Sequence, residues 1–230
     1  MVTPRRLVTG GAGPDSDAMH LDHLSYAAGP GGLDETTKRL SAVLGEDFRE
    51  GGVHPRFGTR NRVLPLAAGH YLEVVDVLDH PASDKAPFGQ LVRARTEAGG
   101  GWLSWVVSVL DITEVEQRLG REAAQGNRRL PDGFDLRWKQ VGVSGPQADP
   151  QLPFVVQWEV DDERHPSCGA SGDVALQAVE IAGHPDRVAD WLGSAAVAAL
   201  EEIAVEWVAP HGQPGIVAVH LSTPAGTVRI

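Results

Sequence analysis

The sequence is poor in cysteine, in basic residues and in long apolar runs. Its single cysteine, Cys168, excludes an internal disulfide and a cysteine-based metal site. Its 20 lysines and arginines stand against 31 aspartates and glutamates, and the formal net charge of -11 argues against a nucleic-acid-binding surface. No apolar run approaches the length that crosses a membrane. We therefore expect a soluble cytoplasmic protein that binds neither nucleic acid nor membranes.

The length and composition are those of a globular protein. A chain of 230 residues with 42% hydrophobic and 22% charged residues can build one large domain or two small ones. Residues 1–18 contain basic residues but no long apolar segment, so they do not resemble a signal peptide. We expect them to form a flexible N-terminal tail.

Residues 19–80 carry the pattern of one β-α-β-β-β module. Alternating residues predict a first strand over residues 21–28. A helix over residues 34–44 follows, because Asp34 can cap its start and Gly45 can end it in the left-handed conformation. Three further strands are predicted near residues 48–53, 61–66 and 71–77, and the last of these is rich in β-branched and aromatic residues.

Residues 102–230 are predicted to form a second module with a third strand-helix-strand unit. Residues 81–101 have few strand or helix signals and are predicted to be a connection. A helix begins where Asp111 and Glu114 form a capping-box-like pair, and it ends at Gly120. Strands are predicted over residues 102–110, 137–143 and 154–160.

The third unit begins like the other two. A strand over residues 175–182 precedes a helix that starts near Pro185 and ends at Gly193. A further helix and three short strands are predicted over residues 195–203, 205–208, 216–221 and 226–230.

The helices of all three units are predicted to end in the dipeptide Leu-Gly. The dipeptides are Leu44-Gly45, Leu119-Gly120 and Leu192-Gly193, at intervals of 75 and 73 residues. Leu-Gly commonly ends helices, so coincidence is the alternative, but each unit also has a preceding strand and a helix start signal. The agreement favours an internal repeat and predicts units that pack as one body.

The stretch from residue 51 to residue 76 has the highest density of unusual residues. It contains the histidine His54 between glycines, and a carboxylate, Glu73, in the middle of a predicted strand. A buried carboxylate needs a metal, another cation or a proton, since an isolated buried charge is costly. The alternative is a salt bridge to Arg60 or Arg62.

Several pieces of the sequence, in their order, resemble the glyoxalase-like branch of the vicinal oxygen chelate superfamily, which includes glyoxalase I, the bleomycin-resistance proteins and the extradiol dioxygenases. The pieces are Asp22-His23, residues 51–55, residues 58–61, Tyr71-Leu72-Glu73, residues 136–138, Pro153-Phe154 and His165-Pro166. The resemblance implies an α+β fold, in which repeated β-α-β-β-β modules form curved mixed sheets around a central cleft.

The resemblance also implies a divalent metal, held by a histidine on a module's first strand and a glutamate on its last. Those positions are His23 and Glu73 here, and His54 is the candidate for a third ligand. Nitrogen and oxygen ligands suit Zn, Mn, Fe(II) or Ni. In the second module Trp105 falls where a histidine would be needed, so the absence of a metal is the alternative.

The implied function is a metal-dependent enzyme acting on a small oxygen-bearing substrate, by lyase, isomerase or dioxygenase chemistry. The alternative is a metal-free binding or sequestering protein of the bleomycin-resistance type. Glu73 and His54 are the candidate catalytic residues. The candidate substrate-binding residues are Asn61, Arg60, Tyr71, Trp105, Trp138 and Trp158. A monomer or homodimer with a small-molecule ligand is expected.

Overall fold

Eight strands close into a barrel and four form a second sheet in the computed structural model, which describes residues 19–142, 149–193, 203–208 and 211–230. The barrel is built from two β-α-β-β-β modules. The mixed α+β architecture predicted from the sequence is confirmed.

The first module follows the predicted order, with element ends shifted by at most two residues. Its elements are β1 (His20–Ala27), α1 (Gly32–Leu44), β2 (Arg49–His54), β3 (Thr59–Pro65) and β4 (Tyr71–Val77). Helix α1 begins before Asp34, which lies in its first turn instead of capping it. Gly45 ends the helix in the left-handed conformation, as predicted, and its N–H donates to the carbonyl of Ser41.

The connection between the modules contains two helices that the sequence analysis did not predict. They are α2 (Pro81–Lys85) and α3 (Pro87–Glu97). Each helix has its proline at the first position, where the missing N–H would be unsatisfied in any case. Val92 of α3 packs against Ala27 and Val75, so this helix covers one side of the barrel.

The second module contains one strand more than the sequence analysis predicted. Its elements are β5 (Gly101–Ser108), α4 (Thr113–Leu119), β6 (Ala124–Arg129), β7 (Asp135–Val141) and β8 (Phe154–Trp158). The unpredicted strand is β6. Asp111 accepts a hydrogen bond from the N–H of Thr113, and Gly120 ends α4 in the left-handed conformation.

The two modules join along two antiparallel strand pairs to close the barrel. The strand order is β1-β4-β3-β2-β6-β7-β8-β5. In each module the first and last strands are parallel neighbours, β1 with β4 and β5 with β8. Strands β1 and β5 form one junction, and β2 meets β6 at the other, where Val53 pairs with Arg129.

The third unit is not a copy of the first two. Its elements are β9 (Ala175–Ala182), α5 (Pro185–Leu192), β10 (Ala204–Val208), β11 (Gly215–Thr223) and β12 (Gly226–Arg229). The sheet order is β10-β9-β11-β12, so β9 pairs with the strand that follows its helix, unlike β1. Gly193 has φ 86° and ψ 146°, which differs from the left-handed caps of α1 and α4. The helix predicted over residues 195–203 lies almost wholly outside the described residues.

The main hydrophobic core includes residues of both sheets. Trp105 of β5, 1% exposed, belongs to this core with Ile181 and Leu221, and its indole N–H donates to the carbonyl of Gln151 at 2.9 Å. In the part of the chain that the structure describes, none of the helices is long and apolar enough to span a membrane.

Candidate functional site

The residues that line the cavity of the barrel form a polar group and an apolar group, called here its polar half and its apolar half, and Phe57, Tyr71 and Gln140 complete the lining. The polar half comes mainly from the first module, with Arg128 added from β6. Its residues are His23, Ser25, His54, Glu73 and Arg128. The apolar half comes mainly from the second module and α3, and includes Phe88, Val106, Trp138, Phe154 and Trp158. The volume available to the centres of water molecules is about 50 Å³, which is room for a few waters or a small molecule.

Glu73 is at the centre of the polar half. Its carboxylate accepts hydrogen bonds from the hydroxyl of Ser25 at 2.7 Å and from the side-chain amide of Asn61 at 2.6 Å. Glu73 is 6% exposed, and burial raises the pKa of its carboxyl. The nearby imidazoles of His54 and His23, together with the two hydrogen bonds, outweigh burial and leave the pKa below its usual value. The group is therefore a carboxylate at neutral pH.

Two histidines on neighbouring parts of the barrel turn their Nε2 atoms toward this carboxylate. The Nε2 atom of His23 lies 3.9 Å from Oε2 of Glu73, and the Nε2 atom of His54 lies 3.8 Å from Oε1. Both distances are too long for a direct hydrogen bond. The alternation of β1, β2 and β4 places all three side chains on the inner face of the barrel.

Asp22 orients the imidazole of His23. Its Oδ1 atom lies 2.6 Å from Nδ1 of His23, and its Oδ2 atom accepts from the indole of Trp158 at 2.9 Å and lies 3.2 Å from Nε2 of His165. Burial raises the pKa of the Asp22 carboxyl, but the hydrogen bonds with His165 and His23 lower it well below its usual range. A carboxylate only accepts hydrogen bonds, so Nδ1 of His23 carries the proton. In this tautomer of the neutral ring, the lone pair is on Nε2, the nitrogen nearer Glu73.

His54 is held on its other ring nitrogen. Its Nδ1 atom lies 2.9 Å from the hydroxyl of Thr59. Burial lowers the pKa of His54 to about 4, with a smaller contribution from Arg128, and this outweighs the opposite effect of Glu73. His54 is therefore neutral at pH 7 and can offer a lone pair.

The burial of His54 predicts a loss of stability in acid. Its pKa is about 4 in the folded protein and about 6.5 in an unfolded chain, so the unfolded state binds the extra proton between these values. The stability is complete above pH 6.5 and decreases as the pH falls toward 4, by about 3 kcal/mol in total. Urea unfolding of chelator-treated protein at several pH values measures this. His54→Gln should flatten the dependence, whereas the exposed His184→Gln should keep it. Equal slopes in parent and His54→Gln would contradict the assignment.

Four of the candidate substrate-binding residues lie at or beside the cavity. Tyr71 stacks on His23 with ring centroids 4.3 Å apart. Trp138 and Trp158 lie side by side in the apolar half, with centroids 5.4 Å apart. Asn61 reaches the site through its hydrogen bond to Glu73.

The other two candidate substrate-binding residues, Arg60 and Trp105, lie elsewhere. The period-two alternation of β3 turns the side chain of Arg60 outward, where it is 46% exposed and pairs with Asp76 at 3.1 Å. Trp105 faces the core shared with the second sheet, while its neighbour Val106 lines the cavity. The sequence analysis assigned Trp105 to the correct strand, but it did not determine which face of the sheet the side chain is on.

Sequence reasoning missed Arg128. This arginine is 4% exposed and lines the cavity. It lies on β6, whose sequence AQGNRR has no apolar alternation, so no strand signal drew attention to it. The role of Asp22 in orienting His23 was also missed, although the adjacent acid was visible in the sequence.

A second group of possible metal ligands lies on the other sheet. Among the described residues, Glu180, Glu206 and His220 can bring three ligand atoms within 4.8 Å of one another. Glu180 already accepts two hydrogen bonds from Arg229, each at 2.7 Å, and His220 is 2.6 Å away. Its charge is thus already neutralised by an arginine.

The chain matches one family model and resembles several solved structures. Residues 21–197 match the family model described as a glyoxalase-like domain. A hypothetical protein from Staphylococcus aureus is 18% identical, with a TM-score of 0.58, over 92% of this chain and 85% of that one. A methylmalonyl-CoA epimerase from Streptomyces coelicolor, in complex with 2-nitronate-propionyl-CoA, is 15% identical over 62% of this chain and 99% of that one, with a TM-score of 0.42. The methylmalonyl-CoA epimerase from Mycobacterium tuberculosis is 16% identical over 60% and 85%, with a TM-score of 0.40. No curated protein matches.

Proposed function

Since the chain belongs to the glyoxalase-like domain family of the vicinal oxygen chelate superfamily, we propose that its barrel cavity is the active site of a metal-assisted enzyme. The substrate is a small molecule with oxygen atoms on adjacent or nearby carbons, and the reaction belongs to the lyase, isomerase or dioxygenase type. The observation that carries the proposal is the approach of two imidazole nitrogens to one buried carboxylate, at 3.9 and 3.8 Å.

The donor atoms suit a divalent metal. His23 and His54 each offer Nε2, and Glu73 offers a carboxylate oxygen. In the tautomer that carries the proton on Nδ1, each imidazole turns an acceptor lone pair toward the carboxylate, an arrangement that a cation between them would stabilise. Two imidazoles and one carboxylate form the ligand set that binds Fe(II), Mn, Ni or Zn and leaves coordination positions open. When bound, such an ion would act as a Lewis acid that polarises a substrate oxygen.

The surrounding residues supply the rest of the chemistry. Ser25 and Asn61 hold the carboxylate of Glu73 in one orientation, and Asp22 does the same for the ring of His23. The aromatic half of the cavity binds the carbon part of a substrate and excludes water, which strengthens electrostatic interactions in the site. His54 has two possible uses, because its neutral Nε2 can bind the cation or accept a proton from the substrate.

Metal analysis tests the proposal directly. Protein purified without chelator is expected to contain a stoichiometric divalent metal, and His23→Ala is expected to lose it. His220→Gln disrupts the second cluster and should leave the content unchanged, as should Cys168→Ser, since that cysteine is exposed and unused. A parent protein that contains no metal and takes up none of Mn, Fe(II), Ni or Zn would contradict the proposal, as would a His23→Ala variant that retains its metal.

A second candidate function is metal-free binding of a small, partly aromatic molecule. The observation that favours it is the composition of the second module's half of the cavity. Val106 and Phe154, on the module's first and last strands, offer no ligand atoms, and the indole of Trp158 only donates a hydrogen bond. A metal-free protein that binds aromatic ligands in the cavity would favour this function over the first.

A further inference from the structure

Arg128 is a buried charge without a partner among the described residues. Its side chain lines the cavity, and no carboxylate of the described chain lies within 4.0 Å of its guanidinium. Its Nε atom is buried and has no hydrogen-bond partner. Burial lowers the pKa of Arg128, but an arginine keeps its proton in proteins. A buried charged group whose donors have no hydrogen-bond partner is costly, so the presence of Arg128 here calls for an explanation.

The two carboxylates that interact electrostatically with Arg128 already have hydrogen-bond partners of their own. Glu73 accepts from Ser25 and Asn61, and Asp22 accepts from Trp158 and faces His23. They attract Arg128 through space without contacting it. The guanidinium therefore has donors without partners, and it lines a cavity that is also lined by aromatic side chains.

Two glycines make room for this arrangement. A Cβ on Gly52 would lie 3.2 Å from Cγ of Arg128, and a Cβ on Gly126 would clash with the indole of Trp138. Gly126 is paired with Trp138 across β6 and β7, and Arg128 follows two residues later on the same face. The arginine and the tryptophan are thus placed side by side, one charged and one apolar, facing the same space.

We propose that Arg128 binds the carboxylate of a small organic acid whose apolar part lies against Trp138, Phe154 and Trp158. This inference rests on the proposed function in one respect, namely that the cavity is where the substrate binds. The planar fork of a guanidinium matches the two oxygens of a carboxylate. One guanidinium matches one carboxylate in charge, whereas a phosphate dianion would add a second negative charge to a cavity that already holds Glu73. The small volume restricts the acid to a compact one.

Paired acids and amides test the inference. Phenylacetate and 3-methylbutanoate are the probes, each compared with its neutral amide, and binding is followed by calorimetry and tryptophan fluorescence. Arg128→Gln is expected to weaken binding of the acids by about 10-fold or more while leaving the amides unchanged, since hydrogen bonds to charged groups are the stronger ones. Arg129→Gln is the matched control, because Arg129 is the next residue of β6 and is exposed.

Thermal unfolding without ligand gives an independent readout. Arg128→Gln is expected to raise the melting temperature, because it removes a buried charge that has no contact partner; a purely structural arginine would give the opposite shift. Acids that do not bind the parent, equal weakening of acids and amides, or a lowered melting temperature would each overturn the inference. Acid binding that depends on Arg128 in a protein that takes up no metal would support the inference while refuting the metal-assisted function.

Discussion

A Glu73→Gln variant is expected to bind divalent metal at least about 100-fold more weakly than the parent protein. Glutamine keeps the size and one oxygen of glutamate but removes the negative charge that faces the two imidazoles. Even the outer partners of metal ligands cost 10- to 100-fold in affinity when they are mutated, so the loss of a charged ligand should cost more. Competition titration of metal against a chromophoric chelator at pH 7.5 measures the change.

Asp76→Asn is the matched control for this experiment. It makes the same change from carboxylate to amide on the same strand, but Asp76 contacts Arg60 and not the imidazoles. The affinity of this variant should equal that of the parent. A Glu73→Gln protein that binds metal as tightly as the parent would remove Glu73 from the ligand set, and it would make the metal-free binding function the better explanation of the cavity.

The site residues that sequence reasoning placed well are those on strands with strong patterns. Strand β4 is rich in β-branched and aromatic residues, so the sequence alone assigns Tyr71 and Glu73 to one face of a strand. His23 came from the family resemblance, and His54 came from the unusual residues of the stretch 51–76. The approach of the two imidazoles to Glu73 depends on the register of β1 to β4, which pairs Ser25 and Val63 with Glu73 and pairs His54 with Thr59. Local sequence does not determine that register.

The failures also have physical causes. Pro81 and Pro87 are typical of loops, but both occupy the first position of a helix, where a proline is tolerated. Strand β6 could not be recognised because its buried positions are filled by Gly126 and Arg128 instead of apolar side chains. Strand β6 is held in the barrel by its pairing with β2 and β7. Its own sequence has no alternation of apolar residues.

The two modules contribute different kinds of side chain to the cavity. The first module contributes His23, His54 and Glu73, while the second contributes Trp138 and Trp158. Under the proposed function, this arrangement would place the reactive centre beside an apolar binding surface. Arg128 lies on the strand that joins the copies, beside both halves.

Because the cavity depends on barrel closure, Gly52→Ala is expected to destabilise the protein severely. Gly52 has φ +137°, a conformation that L side chains rarely adopt, and an added Cβ would clash with the carbonyl of Arg129 on the neighbouring strand. That oxygen belongs to the backbone of β6 and cannot move without opening the junction between the modules. Strain and clash together should cost about 3 to 5 kcal/mol, which lowers the melting temperature by at least about 6 °C in a chain of this size.

Gly45→Ala provides the comparison that isolates the clash. Gly45 also has a positive φ, of +76°, but an added Cβ would meet nothing within 4 Å. That variant should lose only the cost of a left-handed alanine, about 1 to 2 kcal/mol. If β2 and β6 hold the barrel closed, Gly52→Ala should also weaken the binding of phenylacetate in the cavity at temperatures where the protein is still folded, and Gly45→Ala should not. Equal melting temperatures for the two variants would mean that the junction can open to accept a side chain, and that closure is maintained mainly at the β1–β5 junction.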